Sequence, residues 1–216
     1  AIHCWSSATI INCSFSNNCA SRGGAIYCSS SSPTVTNCTF SGNSADDEGG
    51  AIYCYSSSPT ITDCTFNGNS AGSYGVCVGG KYINCTIYDN TATGSYGVGN
   101  GTFEQCAIYN NTAGGNYGIG TGTFEQCTIY GNTATGNYGV GTGTFERCVV
   151  YDNTAGGNGG VGSGTFTNCL VYNNHADGCG GAFIGSVTLT NCTVVANSAD
   201  DKGGALYISG SDDPTI

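Results

Sequence analysis

Fifteen cysteines, two histidines and fourteen carboxylates are the groups in this 216-residue chain with the chemistry to bind a metal, form a disulfide or move a proton. Nine of the cysteines form one spaced series: Cys13, Cys38, Cys64, Cys85, Cys106, Cys127, Cys148, Cys169 and Cys192. The interval is constant from Cys64 to Cys169 and slightly longer at either end. Cys4, Cys28 and Cys54 form a shorter series, and Cys19, Cys77 and Cys179 stand alone. A buried thiol acts as a small hydrophobe, and thiols on neighbouring strands, about 4.8 Å apart, are also within disulfide reach. The spacing makes Cys4–Cys28 and Cys54–Cys77 candidate disulfides between adjacent repeats. The odd total leaves at least one thiol free or bonded to another chain. No C-x-x-C occurs, and His3 and His175 are too far apart in the repeat to share a site, so neither metal nor cofactor is expected.

The acidic residues are also periodic. Glu104, Glu125 and Glu146 recur at the same interval as the central cysteines. On stacked strands this sets them about 5 Å apart, the separation used by retaining glycosidases. They recur because the repeat recurs, and on an exposed strand they read as a solvated stripe. The bends at Asp46, Asp47 and Glu48 and at Asp200 and Asp201 read the same way, although such bends can hold calcium. The only cations are Arg22, Lys81, Arg147 and Lys202, too scattered to grip an acidic polysaccharide and too few to neutralise a run of phosphates. Nucleic acid is therefore not an expected partner, and the chemistry reads as non-enzymatic.

The elements that position these residues follow from the period. At a fixed offset after each cysteine of the long series comes an asparagine: Asn18, Asn43, Asn69, Asn90, Asn111, Asn132, Asn153, Asn174 and Asn197. Apolar residues recur two after the cysteine (Phe15 through Val194) and three before it (Ile10 through Leu189). Self-similarity at this period marks a repeat architecture. β-branched and aromatic residues separated by Gly and Asn clusters are strand and turn chemistry, and a repeat this short cannot hold a helix pair. It fits one coil of a parallel β-helix, with short strands whose inward residues are buried only when coils stack. In CTIY, Cys127 and Ile129 then point in while Thr128 and Tyr130 point out. Asn132 marks a bend where amides stack from coil to coil. Ala92, Ala113, Ala134 and Ala155 are small inward fillers. The expected fold is all-β, a single β-helix domain over 1–216. It has about nine coils, each as long as the cysteine interval it spans.

FSNN at Phe15–Asn18, FSGN at Phe40–Asn43 and FNGN at Phe66–Asn69 read as F-x-x-N, and GGAI at 23–26 and 49–52, GGAF at 180–183 and GGAL at 203–206 supply its G-G-A partner. Together they resemble the repeats of the chlamydial polymorphic outer membrane proteins, which occur also in other large surface and secreted proteins. The resemblance implies an extracellular β-helix used for display or adhesion, and the right hand is taken by analogy with known parallel β-helices. It covers the outer coils. In the middle, about 77–161, Ile or Val stands for Phe and YGV for GGA. No autotransporter barrel accompanies the repeats, so membrane anchoring does not carry over.

Gly makes up 37 residues and the net charge is −10. No apolar run of about 18 residues occurs, so no helical membrane insertion is expected. Six N-x-[ST] sequons, at Asn12, Asn37, Asn84, Asn100, Asn110 and Asn191, are candidate glycosylation sites. Tyr88, Tyr109, Tyr130, Tyr151 and Tyr172 form one outward column, and Tyr74, Tyr96, Tyr117 and Tyr138 another, suited to stacking on each other, on sugars or on a neighbouring chain. The chain opens inside a strand and closes at DDPTI without a polar cap. An uncapped β-helix end invites another chain to add on. The expectation is an extracellular structural subunit that stacks end to end into a filament, with self as its main partner. A surface adhesin or glycan-binding domain is the alternative, and a polysaccharide lyase or hydrolase comes third.

Overall fold

A computed structural model describes residues 2–209. The DDPTI segment at 212–216 and the strand expected there lie outside these residues. The chain winds as a right-handed parallel β-solenoid with no helix among the described residues. One face is a 10-stranded sheet and two more are 9-stranded, and every described strand pair is parallel, with like residues in register from coil to coil. The ten strands of the first face make about ten coils, one more than the cysteine series counts. The addition is Leu206–Tyr207, which pairs with Phe183–Ile184.

One compact coil shows how the sequence makes the turn. Gly120–Glu125 lies on the first face, Thr128–Tyr130 on the second and Thr133–Ala134 on the third. Between the first two, Gln126 has φ 54°; between the next two, Gly131 has φ 65°. The same left-handed bend precedes every cysteine of the long series, at Asn12, Asn37, Asp63, Asn84, Gln105, Gln126, Arg147, Asn168 and Asn191. It also precedes every asparagine of the ladder, at Asn17, Gly42, Gly68, Asp89, Asn110, Gly131, Asp152, Asn173 and Ala196. Gly, Asn and Asp tolerate this conformation best, which explains why the bend positions are rich in them. The two bends re-aim the chain so that the next residue, Cys or Asn, points into the corner.

The asparagine corner is a continuous amide ladder. The Oδ1 of each asparagine accepts from both the backbone N–H and the Nδ2 of the asparagine one coil earlier: Asn111 donates to Asn132 at 3.1 and 3.0 Å, and Asn132 to Asn153 at 3.0 and 2.9 Å. Asn132 Nδ2 also donates to the carbonyls of Ile108 and Tyr130. From Asn43 to Asn174 the ladder is buried, and no buried side-chain nitrogen or oxygen among the described residues lacks a partner. The ladder has one direction, from Asn18 to Asn197, as the parallel coils require.

On the first two faces the core holds one large and one smaller side chain per coil, and the two exchange faces along the rod. Early coils pair Ile10 with Phe15, Val35 with Phe40 and Ile61 with Phe66; middle coils pair Tyr82 with Ile87, Phe103 with Ile108, Phe124 with Ile129, Phe145 with Val150 and Phe166 with Val171. Phe40 and Phe66 stack at 4.6 Å, the change of face is an edge contact of Phe66 on Tyr82 at 5.9 Å, and Phe103, Phe124, Phe145 and Phe166 then stack at 4.4–5.1 Å. The swap keeps core volume nearly constant. The missing Phe of the middle F-x-x-N motifs has therefore moved to the preceding strand. Tyr82, buried at the junction, satisfies its hydroxyl on the carbonyl of Gly79 at 2.9 Å. GGA and YGV are likewise one row, because Ala51 N donates to Val76 O, Val98 N to Ile119 O and Val161 N to Ala182 O. The wider early coils add a 4-stranded sheet from Ile2–Cys4 to Cys77–Val78. Ala92, Ala113, Ala134 and Ala155 are buried as expected. At Gly141, φ is 152° and a Cβ would meet the carbonyl oxygen of Gly120 at 1.8 Å, so these coils touch backbone to backbone.

Replacing Asn132 by Ala takes the acceptor from the buried N–H and Nδ2 of Asn111 and removes the amide donor to Ile108 O and Asn153 Oδ1. At about 1–3 kcal/mol per unsatisfied buried group, N132A is expected to lose about 2–5 kcal/mol. Urea denaturation followed by circular dichroism measures this, and a loss under about 0.5 kcal/mol contradicts the account.

Candidate functional site

The nine-cysteine series forms one row along the corner between the first and second faces. The carbonyl of each accepts from the residue that opens the second-face strand one coil on, as in Thr128 N to Cys106 O and Val149 N to Cys127 O. Cys38 through Cys169 are buried and Cys192 is half-buried; Cys13, in the first coil of the series, is exposed, although its thiol turns to the carbonyl two residues back as the others do. Each buried thiol sits against backbone carbonyls, as Cys127 does against Phe103 O at 3.3 Å and Glu125 O at 3.4 Å. The hydrogen bond between Cys127 and the Cys106 thiol raises the Cys127 pKa, that with Cys148 opposes it, and burial adds to the rise, leaving it at about 12. Cys148 is lifted to about 12 by Cys127, against Cys169, with burial again adding. These thiols stay protonated at neutral pH and are poor nucleophiles.

All fifteen cysteines are free thiols. Cys4, Cys28 and Cys54 are register partners in one row, so the Cys4–Cys28 adjacency expected from spacing is present. Cys54–Cys77 is corrected: Cys77 pairs with Ile52, and Gly79 lies beside Cys54, where a Cβ would meet the Cys54 Cβ at 3.1 Å. With Ile52 opposite Cys77 and Tyr53 opposite Val78, Cys77 stands two places before the position that meets Cys54.

The acidic stripe is occupied by the chain's own cations. Lys81 Nζ lies 2.7 Å from Glu104 Oε1, and Arg147 bridges Glu125 and Glu146. Arg22 binds Asp47 at 2.8 Å, reaches Glu48 at 3.8 Å and lies over the Tyr53 ring. Lys202 faces Asp201 at 3.9 Å. A pair of glutamates locked by one arginine is unlike a nucleophile beside a proton donor.

The outward tyrosines do stack. Tyr88, Tyr109, Tyr130, Tyr151 and Tyr172 have centroids 4.8–5.0 Å apart and planes within 9°. Tyr74, Tyr96, Tyr117 and Tyr138 follow at 4.9–5.3 Å. Both rows present their ring edges to solvent while their faces cover one another.

The sequon asparagines Asn12, Asn37, Asn84, Asn110 and Asn191 occupy left-handed bends, and with Asn100 they reach the surface. Several are already engaged: Asn37 Nδ2 donates to Asn12 Oδ1 at 2.7 Å, Asn84 to Asp63 at 2.6 Å, Asn191 to Asn168 at 2.6 Å, and Asn100 Oδ1 accepts from Gly79 N at 3.1 Å.

Two constellations escape the linear reading. Trp5, stacked on His3 at 4.5 Å, joins Tyr27, Arg22 and Asp47 around an open cavity of 620 Å³ beside the first described coils. On the third face, His175 meets Asp177 and Asp200, with Nε2 3.3 and 3.8 Å from their Oδ1 atoms. The two histidines lie at separate places, and His175 instead meets Asp177 of its own coil and Asp200 of the next. The one sequence signal was the break in pattern, with His175 in a column of Thr91, Thr112, Thr133 and Thr154.

A family model described as "Right handed beta helix region" matches residues 1–99 and again 78–216, which together span the chain. A search of curated proteins finds no match.

Two measurements test the thiol corner. Between the ordinary thiol pKa near 9 and the folded value of about 12, the folded chain holds more protons than the unfolded one. Stability should therefore be full below pH 9 and fall as the pH rises towards 12. The urea midpoint at pH 8 and pH 10.5 reads this, and a C127A/C148A double variant should show a shallower fall. In native buffer at pH 8, a thiol reagent should label the exposed Cys13 and Cys19 within minutes and Cys64 to Cys169 only after unfolding. Fast labelling of the buried row contradicts its assigned environment.

Proposed function

Because the chain belongs to the right-handed β-helix family, its inward side chains are accounted for by coil stacking, and we propose that it works as a non-enzymatic structural rod outside the cell. The observation that carries this reading is the run of stacked inward rows, amide, thiol, aromatic and aliphatic, in which no buried side-chain nitrogen or oxygen among the described residues lacks a partner. The conspicuous carboxylate column faces outward and is tied up by Lys81 and Arg147, which supports a structural use of those residues. The buried thiols from Cys85 to Cys169, held protonated, resist disulfide exchange in oxidising surroundings.

The same geometry supports association between copies. A coil offers matched strand edges and ladder amides on its two sides, so a second copy can dock as a further coil does. The one-way amide ladder makes that docking head to tail, a contact that propagates without closing. The finer resemblance, to the chlamydial surface repeats, belongs to this proposal and suits a location at the cell surface or beyond it, with glycans at the outward sequons.

A display or adhesin role is the second reading, favoured by the outward tyrosine rows, whose regular edges suit sugar rings or another protein. Analytical ultracentrifugation and negative-stain imaging over a hundredfold concentration range decide between the two. Rods that lengthen with concentration are the expected result. A discrete monomer throughout, with retention on a glycan array, replaces the filament with the display role. Depolymerisation of pectin or alginate on incubation overturns the non-enzymatic reading.

A further inference from the structure

We propose that His175, Asp177 and Asp200 form a binding site for a divalent transition metal, with zinc as the best fit. The three side chains come from two adjacent coils of the third face. His175–Ala176 pairs in register with Ser198–Ala199, which sets Asp177 and Asp200 next to each other in the following row. One ligand atom from each of the three lies within 4.8 Å of the others. The Nε2 of His175 is 3.3 Å from Asp177 Oδ1 and 3.8 Å from Asp200 Oδ1. A tetrahedral zinc with bonds of about 2.0–2.1 Å holds its ligands about 3.4 Å apart, so small rotations of the aspartates close the set around an ion.

Three further observations favour a cation here. First, the imidazole is already oriented: its Nδ1 is 2.9 Å from Ser198 Oγ. With Nδ1–H donating to that hydroxyl, the Nε2 lone pair points at the carboxylates, the outer-shell arrangement that steers metal-binding histidines. Second, Asp177 and Asp200 are like charges stacked on neighbouring strands, which is unfavourable. Elsewhere the chain offsets such a stack with Lys81 or Arg147. Among the described residues, these two aspartates have ion pairs only with His175, and an imidazole is a weaker source of positive charge than Lys or Arg. Third, the row departs from the middle coils here. His175 replaces the threonines at 91, 112, 133 and 154, and Asp177 and Asp200 follow Thr93, Gly114, Thr135 and Gly156 in a column where the early coils carry Asp46, which has no histidine beside it. A mixed imidazole and carboxylate set selects zinc-like ions over calcium, which prefers oxygen alone. The side chains are 34%, 58% and 70% exposed, so an ion enters from solvent and water completes its coordination.

The test compares the wild-type chain with H175T and D200N. Threonine is the residue the middle coils carry at that row, so H175T retains the fold, and circular dichroism checks it. In a zinc titration followed by calorimetry at pH 7.5, the wild-type chain should take up one equivalent more than either variant, and that equivalent should be lost at pH 5, where protons compete for the imidazole. Cobalt at the same site should give visible d–d absorption without the near-ultraviolet charge-transfer band of thiolate ligation. Equal uptake by wild type and H175T, or a differential equivalent that carries the thiolate band, overturns the proposal.

Discussion

In a parallel solenoid, backbone hydrogen bonds between coils set the distance at which every side chain meets its counterpart one coil away. That spacing, about 4.8 Å, cannot be adjusted residue by residue. The chain must therefore place at each row only groups that tolerate their own kind. Amides do so best, since each offers both a donor and an acceptor, and the Asn18–Asn197 ladder uses both in every coil. Aromatic rings tolerate it because the pitch is close to their stacking distance. Thiols tolerate it as small apolar groups. Carboxylates do not, and wherever they stack the structure supplies Lys81, Arg22 or Arg147, or brings in His175.

The same constraint explains how the sequence varies without disturbing the fold. A coil needs one large and one smaller inward side chain, but the face that carries the large one is open, so Phe66 can hand over to Tyr82 at a single edge contact. The row that reads GGA in one coil and YGV in another stays continuous because the backbone pairing is the same in both. The motif is a pattern of volumes and bends, and its letters are replaceable where those are kept.

Function on such a scaffold is confined to the outside. Inward rows are committed to neighbours of their own type, and thiols in the middle of the row, such as Cys127 and Cys148, are held protonated by a neighbouring thiol and by desolvation. What faces solvent is a set of columns, tyrosine edges, sequon bends and neutralised carboxylates, that repeat because the coil repeats. The His175 cluster differs because it is local: a histidine that breaks the threonine row meets aspartates of two successive coils.

Much of this was legible in the sequence. The cysteine and asparagine intervals, with apolar residues at constant offsets, determined a stacked β-helix and assigned Cys127, Ile129 and Asn132 to the interior, because a period that survives insertions in the wide coils reflects a contact made once per coil. The bends were legible only in part: Gly42 and Asn110 announce themselves, whereas Gln126 and Arg147 take the same left-handed conformation because their position demands it. The tertiary structure alone decided three things. It set the register that separates Cys77 from Cys54, with Ile52 and not Cys54 opposite Cys77. It chose which cation answers which glutamate, as Arg147 does for Glu125 one coil back. And it brought Asp200 to His175 from the following coil, because a pair of facing side chains belongs to two coils and no single repeat contains it.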